Sequence, residues 1–289
     1  MKKLSLLLVL SFLVLLVGCR AAEPTAQIVA TTKPVYDFTR FLCRDTDITV
    51  GQLITENVSC LHDYSLSVGQ VRQAEGAEVV VISGGGLEEF MDDLLHKQNL
   101  VIDSSLGIEM AKCDEEHDHE HHHHEADAHI WLAPDNAKIM AHNISAGLSR
   151  TYPEFAAVFQ RNEAELLSQL DALQSYGDAQ LHNLSCRELI TFHDGFGYLA
   201  HAFDLTIVAA MEEESGSEAS AKELIQLISL VEKRQIPAVF AETHGSLSAP
   251  QIISAETGVP VYLLNMGMGD SDYFETIRTN IDTLKEALG

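Results

Sequence analysis

Glu78-Val79-Val80-Val81-Ile82-Ser83-Gly84-Gly85-Gly86-Leu87 is the stretch on which the fold turns. Its apolar run, Glu78–Ser83, reads as a strand, and the three glycines end it and open a helical stretch, Leu87–Gln98. The same unit recurs outward in both directions. Ile28–Thr32, Ile48–Thr55 and Leu100–Asp103 are strand-like, and Val35–Leu42 and Ser67–Glu75 are helix-like. Strands alternating with helices predict βαβ units and a parallel sheet. The second half repeats the rhythm. Its strands are Glu188–Phe192, Leu205–Ala209, Ala238–Glu242 and Val259–Leu264, and its helices are Gly195–Ala202, Ser220–Arg234, Ala249–Thr257 and Asp272–Leu288. The expected fold class is therefore α/β, with two lobes, each a four-stranded parallel sheet flanked by helices.

A helical region joins the halves. Pro134–Arg150 is one helix, and Pro153 starts another. Phe155, Val158, Phe159, Leu166, Leu167, Leu170 and Leu173 form an apolar stripe at helical spacing. A long connecting helix over 153–184 follows, with Tyr176-Gly177 as the point where it could break. The boundaries read as a lobe over 27–152 and a lobe over 185–289, on either side of that helix. The 289 residues have room for both, and an apolar fraction of 46% excludes a disordered chain. A net charge of −25 argues against nucleic-acid binding, because phosphate contacts need a basic face.

The first residues are a targeting segment. Lys2 and Lys3 precede an apolar run from Leu4 to Val17, too short to span a membrane comfortably. The run ends Leu16-Val17-Gly18-Cys19, which resembles the lipobox of bacterial lipoproteins. That resemblance implies removal of residues 1–18, acylation of Cys19, a tether over 19–26, and a location on the outer face of the bacterial cell membrane, periplasmic where an outer membrane exists. Disulfides are permitted there. Cys43, Cys60, Cys113 and Cys186 allow three pairings. Cys43–Cys60 with Cys113–Cys186 is favoured, since 43 and 60 flank one strand-like segment; free thiols are the alternative.

Several polar motifs carry chemistry. Residues 114–125 read DEEHDHEHHHHE, with His117, His119, His121, His122, His123 and His124 set among carboxylates. The segment has nothing apolar to bury and reads as a solvated loop with weak, unselective affinity for divalent metals. Gly84-Gly85-Gly86 suggests an anion-binding turn, but without GxGxxG spacing or a lysine it does not suggest nucleotide binding. The acidic stretch 212–220 offers Ser217 as a helix cap. His193 stands at the end of a strand, where open parallel sheets bind ligands. His62 lies in the loop after Ile48–Thr55, and His129 lies just before Trp131-Leu132-Ala133-Pro134. Coming from both halves, the three can meet in a cleft, and three neutral imidazoles suit Zn²⁺.

These stretches together resemble the substrate-binding lipoproteins of zinc and manganese ABC importers, the ZnuA/TroA-like or cluster A-I family. Ala30–Asp37 is similar to the family's first strand and loop. Leu61-His62-Asp63-Tyr64 is similar to its "pHdY" loop, and Gly84–Glu88 to its "G-x-G-L-E" turn. Asp127–Pro134 resembles "D-P-H-x-W-L-x-P", and Phe192–Tyr198 resembles "F-H-D-A-Y-x-Y". The resemblance runs through almost all of 27–289. It implies His62, His129 and His193 as metal ligands, an ABC permease as partner, and a monomer without enzymatic turnover. The family often places an aspartate after its last strand; here the position is Asn265, a weaker neutral donor. Glu242, Asp270 and Asp272 are nearby carboxylates. Three histidines without a clear carboxylate favour Zn²⁺ over Mn²⁺. A manganese-binding protein, a surface zinc hydrolase using Glu242 or Asp194 as base, and an adhesin are the alternative readings; the hydrolase lacks any HExxH motif.

Overall fold

The computed structural model describes residues 26–58, 61, 64–97, 100–111, 127–211 and 219–289. The first lobe is built from β1 (Ile28–Ala30), α1 (Lys33–Leu42), β2 (Val50–Gln52), α2 (Val68–Glu75), β3 (Val79–Ile82), α3 (Asp92–Leu95) and β4 (Val101–Asp103). Two helices follow, α4 (Pro134–Thr151) and α5 (Ala156–Leu181). The second lobe contains β5 (Glu188–Thr191), α6 (Gly197–Ala202), β6 (Thr206–Ala210), α7 (Ala221–Arg234), β7 (Val239–Glu242), α8 (Ser248–Thr257), β8 (Val261–Leu264) and α9 (Tyr273–Leu288). All eight expected strands form.

Each lobe holds one four-stranded sheet, in the orders β2-β1-β3-β4 and β6-β5-β7-β8, and every pairing is parallel. The two orders are the same topology repeated. In each, the chain steps to one side and then crosses back, so the winding reverses between β1 and β3 and between β5 and β7. A crevice opens beyond the carboxyl ends of the strands at such a reversal. Fully buried Val79, Val80 and Val81 make β3 a central strand covered on both faces.

The core does not divide along with the sheets. One continuous buried cluster runs from Ile28 and Phe38 through Trp131, Phe159 and Phe203 to Ile277 and Leu288. A second, smaller cluster lies under α7 and α8, with Ile190, Leu227, Val239 and Ile253. The helix α5 passes through the larger cluster. Phe159, Leu166, Leu170 and Leu173 are buried, as their spacing predicts.

Four expectations are corrected. Tyr176-Gly177 does not interrupt α5, because Gly177 is where the ring of Phe203 packs against the helix; a Cβ there would lie 2.1 Å from Phe203 Cε1. The helix expected over Leu87–Gln98 shrinks to a 3₁₀ turn, Glu89–Met91, and the short α3. Its first residues are diverted because Glu88 turns inward. The cap of α7 is Ser220, not Ser217: its hydroxyl accepts the Glu223 N–H, and the Glu223 carboxylate answers the Ser220 N–H. Finally, Cys43 and Cys186 are free thiols, so neither favoured disulfide forms in the structure. Cys43 is packed in the core at the end of α1, and burial pushes its thiol up to about 12. The signal segment with Cys19, the cysteines Cys60 and Cys113, Ser217 and the six histidines of 114–125 lie outside the described residues.

Candidate metal centre

His193 stands two residues beyond β5, at the winding reversal of the second sheet, and is 6% exposed. Phe192 N–H donates to the Phe240 carbonyl at 2.8 Å, which continues the β5–β7 pairing up to the histidine. Carried two residues further, that register (Thr191 opposite Phe240) would set Glu242, the last residue of β7 and also buried, level with His193.

His129 arrives from the other lobe. It precedes a single 3₁₀ turn, Ile130–Leu132, and α4 begins at Pro134, where a proline suits the first helical turn. Wholly buried Trp131 anchors the segment, and its indole N–H donates to the Met266 carbonyl at 2.7 Å. The Asp127 carboxylate faces His129 Nδ1 at 2.8 Å and accepts the His129 backbone N–H at 2.9 Å. With Nδ1 so engaged, Nε2 is the ring nitrogen left for a ligand.

The two imidazoles meet. Their ring centres are 5.2 Å apart, and the planes are nearly perpendicular at 84°. An imidazole nitrogen sits about 1.1 Å from its ring centre, and zinc–nitrogen bonds are about 2.0–2.1 Å. Two rings on one tetrahedral ion therefore have centres about 5 Å apart, which is the spacing found. Gly195 makes room for this approach. A Cβ at that position would stand 2.8 Å from His129 Nδ1 and 2.4 Å from Met266 Cε, so the alanine of the family motif does not fit here without displacement.

The remaining expected residues divide. His62 lies outside the described residues, although its neighbours Leu61 and Tyr64 are fixed: Leu61 is buried, and the Tyr64 phenol donates to Glu56 at 2.9 Å. Asn265 is placed after β8, but its side-chain oxygen accepts the Gly267 N–H at 2.8 Å, while Asn280 clasps its backbone N–H and carbonyl. Asp272 is the N-cap of α9, accepting the N–H groups of Phe274 and Glu275. Asp270 is exposed. Among the described residues, no group of three or more His, Cys, Asp or Glu side chains gathers to hold an ion. Asp127 was not singled out by sequence reasoning as a contributor. The usable signal is an aspartate two residues before a histidine, since Asp side chains habitually bond backbone two residues on.

The turn Gly84-Gly85-Gly86 is occupied from within the chain, by the carboxyl group of Glu88. All three glycines have positive φ. The Ser83 and Gly84 N–H groups donate to Glu88 at 2.7 and 3.0 Å, and the Gly85 N–H goes to Ser105 Oγ.

Residues 28–287 match the model of the ZnuA family, described as zinc-uptake complex component A, periplasmic. The chain belongs to this family. A zinc-binding lipoprotein, AdcA of Streptococcus pneumoniae serotype 4, is 30% identical over 99% of the chain and 61% of its own length. The chain thus spans about three-fifths of that relative. Among solved structures, a zinc-bound ZnuA deletion mutant is 27% identical with a TM-score of 0.79, covering 91% of this chain and 98% of the other. The Zn(II)-bound ZnuA-like domain of Streptococcus pneumoniae AdcA is 26% identical with a TM-score of 0.77, covering 91% and 99%. The ZnuA-family fold, with two parallel four-stranded sheets and a long helix between them, is the one described above.

Proposed function

We propose that this ZnuA-family chain captures Zn²⁺ between its lobes, outside the cytoplasm, and hands it to an ABC permease. One observation carries the reading: His129 and His193, from different lobes, stand at the spacing that two imidazoles adopt on one ion. His62 completes the set in this proposal, and Cys19 holds the monomeric protein to the membrane through its lipid. The lobes of the proposal are 27–152 and 185–289, linked over 153–184. The histidines of 114–125 collect ions loosely. Zinc is preferred to manganese because three imidazoles dominate the proposed donor set, and manganese favours oxygen-rich sites.

For the fourth donor this proposal prefers Glu242 to Asn265. Asn265 is occupied in its turn, whereas Glu242 is a buried carboxylate that the β5–β7 register, carried on, would set level with His193. Zinc titration of His129→Ala, Glu242→Gln and Asn265→Ala tests the set. His129→Ala should lose at least about a hundredfold in affinity, and Glu242→Gln more than Asn265→Ala. Tight zinc binding by His129→Ala refutes the site. Affinity should also fall as pH drops through the imidazole range, because protons compete for the same nitrogens.

A further inference from the structure

Tyr198 belongs to α6 of the second lobe and is 7% exposed. Its phenol oxygen accepts the Ala111 N–H at 2.8 Å and donates to the Asp127 carbonyl at 3.1 Å. Ala111 and Asp127 are themselves paired, with the Asp127 N–H on the Ala111 carbonyl at 3.0 Å. A phenol has one hydrogen to give and an oxygen to receive with, and both are used here. The next link is the Asp127 carboxylate, which grips His129 twice, at the backbone N–H and at Nδ1. The Asp127 and His129 side chains are 9% and 7% exposed, so little water competes for these bonds.

We propose that Tyr198 is a positioning residue for metal capture. Its hydroxyl, from the second lobe, sets Asp127, and Asp127 sets the tautomer and orientation of His129 in the first. The inference rests on the reading of His129 as a ligand. It has a specific consequence: the first-lobe ligand is held in place by a group of the opposite lobe. Any displacement of α6 against the 127–134 segment therefore reaches the ion through two hydrogen bonds, not through the ligand's own helix. Outer partners of metal-bound histidines typically contribute about 10–100-fold to affinity, through tautomer and ring orientation.

Tyr198→Phe removes the hydroxyl and keeps the ring. In a chelator-competition titration of the full chain, the variant should bind zinc about tenfold more weakly. Nitrogen-15 spectra of labelled histidine give a readout that a purely structural role would not move. In the metal-free wild type, His129 should be protonated at Nδ1; in Tyr198→Phe it should become a mixture of tautomers. The double variant Tyr198→Phe/Asp127→Ala should lose no more than Asp127→Ala alone, because both act along one chain of contacts. Wild-type affinity with an unchanged His129 spectrum would overturn the proposal, as would losses that multiply in the double variant. His129→Ala in the same titration separates the two failures. If it binds tightly, the ligand reading falls; if it fails while Tyr198→Phe binds normally, only the role of Tyr198 falls. Asp127→Asn tests the same contacts one link later should Tyr198→Phe not fold, and wild-type binding there counts against the proposal equally.

Discussion

Glu88 shows how one residue decides the shape of a loop. It is almost wholly buried, with Oε1 taking the Thr31 hydroxyl at 2.6 Å and the Ser83 N–H, and Oε2 taking the Gly84 N–H. Those donors favour the ionised form, but burial opposes it more strongly and raises the carboxyl to about 7. The folded value therefore lies above the unfolded one, about 4.3. Between the two, the native state holds a proton that the unfolded chain has released. The contribution is complete below about pH 4.3 and is lost as pH rises through about 7. Over that window the wild type should lose about 3 kcal/mol more stability than Glu88→Gln, which cannot titrate. Urea unfolding at about pH 4.5 and about pH 7.5 reads the difference, and parallel slopes for the two proteins would disprove it. The residue also marks what sequence could convey. Three consecutive glycines suggest an anion-binding turn, and the structure fills the start of that turn with a carboxyl group. That the group is Glu88, two residues past the last glycine, depends on the turn folding back on itself, which no spacing rule encodes. His129 and His193 were legible because they sit at strand and helix ends. Asp127 and Tyr198 stand in the same motifs, yet their contacts with each other and with His129 appear only when α6 is brought against the 127–134 segment.

At the scale of elements, periodicity carried nearly everything except ends and exceptions. All eight strands were readable because short apolar runs alternate with amphipathic stretches. Most came out shorter than expected, since hydrogen bonding to a neighbour, not apolar character, ends a strand. Tyr176-Gly177 is the point where the sequence lets the long helix break, and a glycine inside a helix costs about 1 kcal/mol relative to alanine. The structure reverses the argument. In α5 the missing side chain is the seat of Phe203, whose ring is buried beneath it. Gly177→Ala therefore sets a propensity gain of about 1 kcal/mol against an overlap costing about 1–3 kcal/mol. The overlap should win, because the contact is ring carbon on a rigid aromatic and not the tip of a flexible chain. Gly177→Ala should lower the thermal midpoint. Ser168→Ala, at an exposed position of the same helix, gains propensity without any overlap and should hold the midpoint or raise it slightly. A rise in midpoint for Gly177→Ala would mean that Phe203 moves aside freely.

For the molecule as a whole, the question is how far the lobes can move. A cleft protein of two sheets invites the picture of a hinge, and the cross-ties speak against one. The Tyr273 hydroxyl donates to the Trp131 carbonyl at 2.9 Å, and the Tyr273 N–H donates to Asp37 of α1 at 3.1 Å. Phe38 meets the Tyr273 ring edge-on at 4.7 Å, and the Trp131 indole holds Met266. Asp37 is bonded to Lys33 as well, while burial raises its carboxyl above the ordinary range. These bonds join α1 and the 127–134 segment of one lobe to α9 and the β8 turn of the other. They sit within a core cluster that is continuous across the molecule. Opening the lobes as rigid bodies would break several buried hydrogen bonds at once, each costing about 1–3 kcal/mol if left unmade. Rearrangement confined to surface loops breaks none of them. Metal binding should accordingly leave the overall shape nearly constant. Small-angle scattering of the protein before and after one equivalent of zinc should give radii of gyration agreeing within about 1 Å, as in pre-organised complexes. A contraction of several ångströms would mean that the Tyr273 and Trp131 ties open in solution, and that capture proceeds by closure of the lobes.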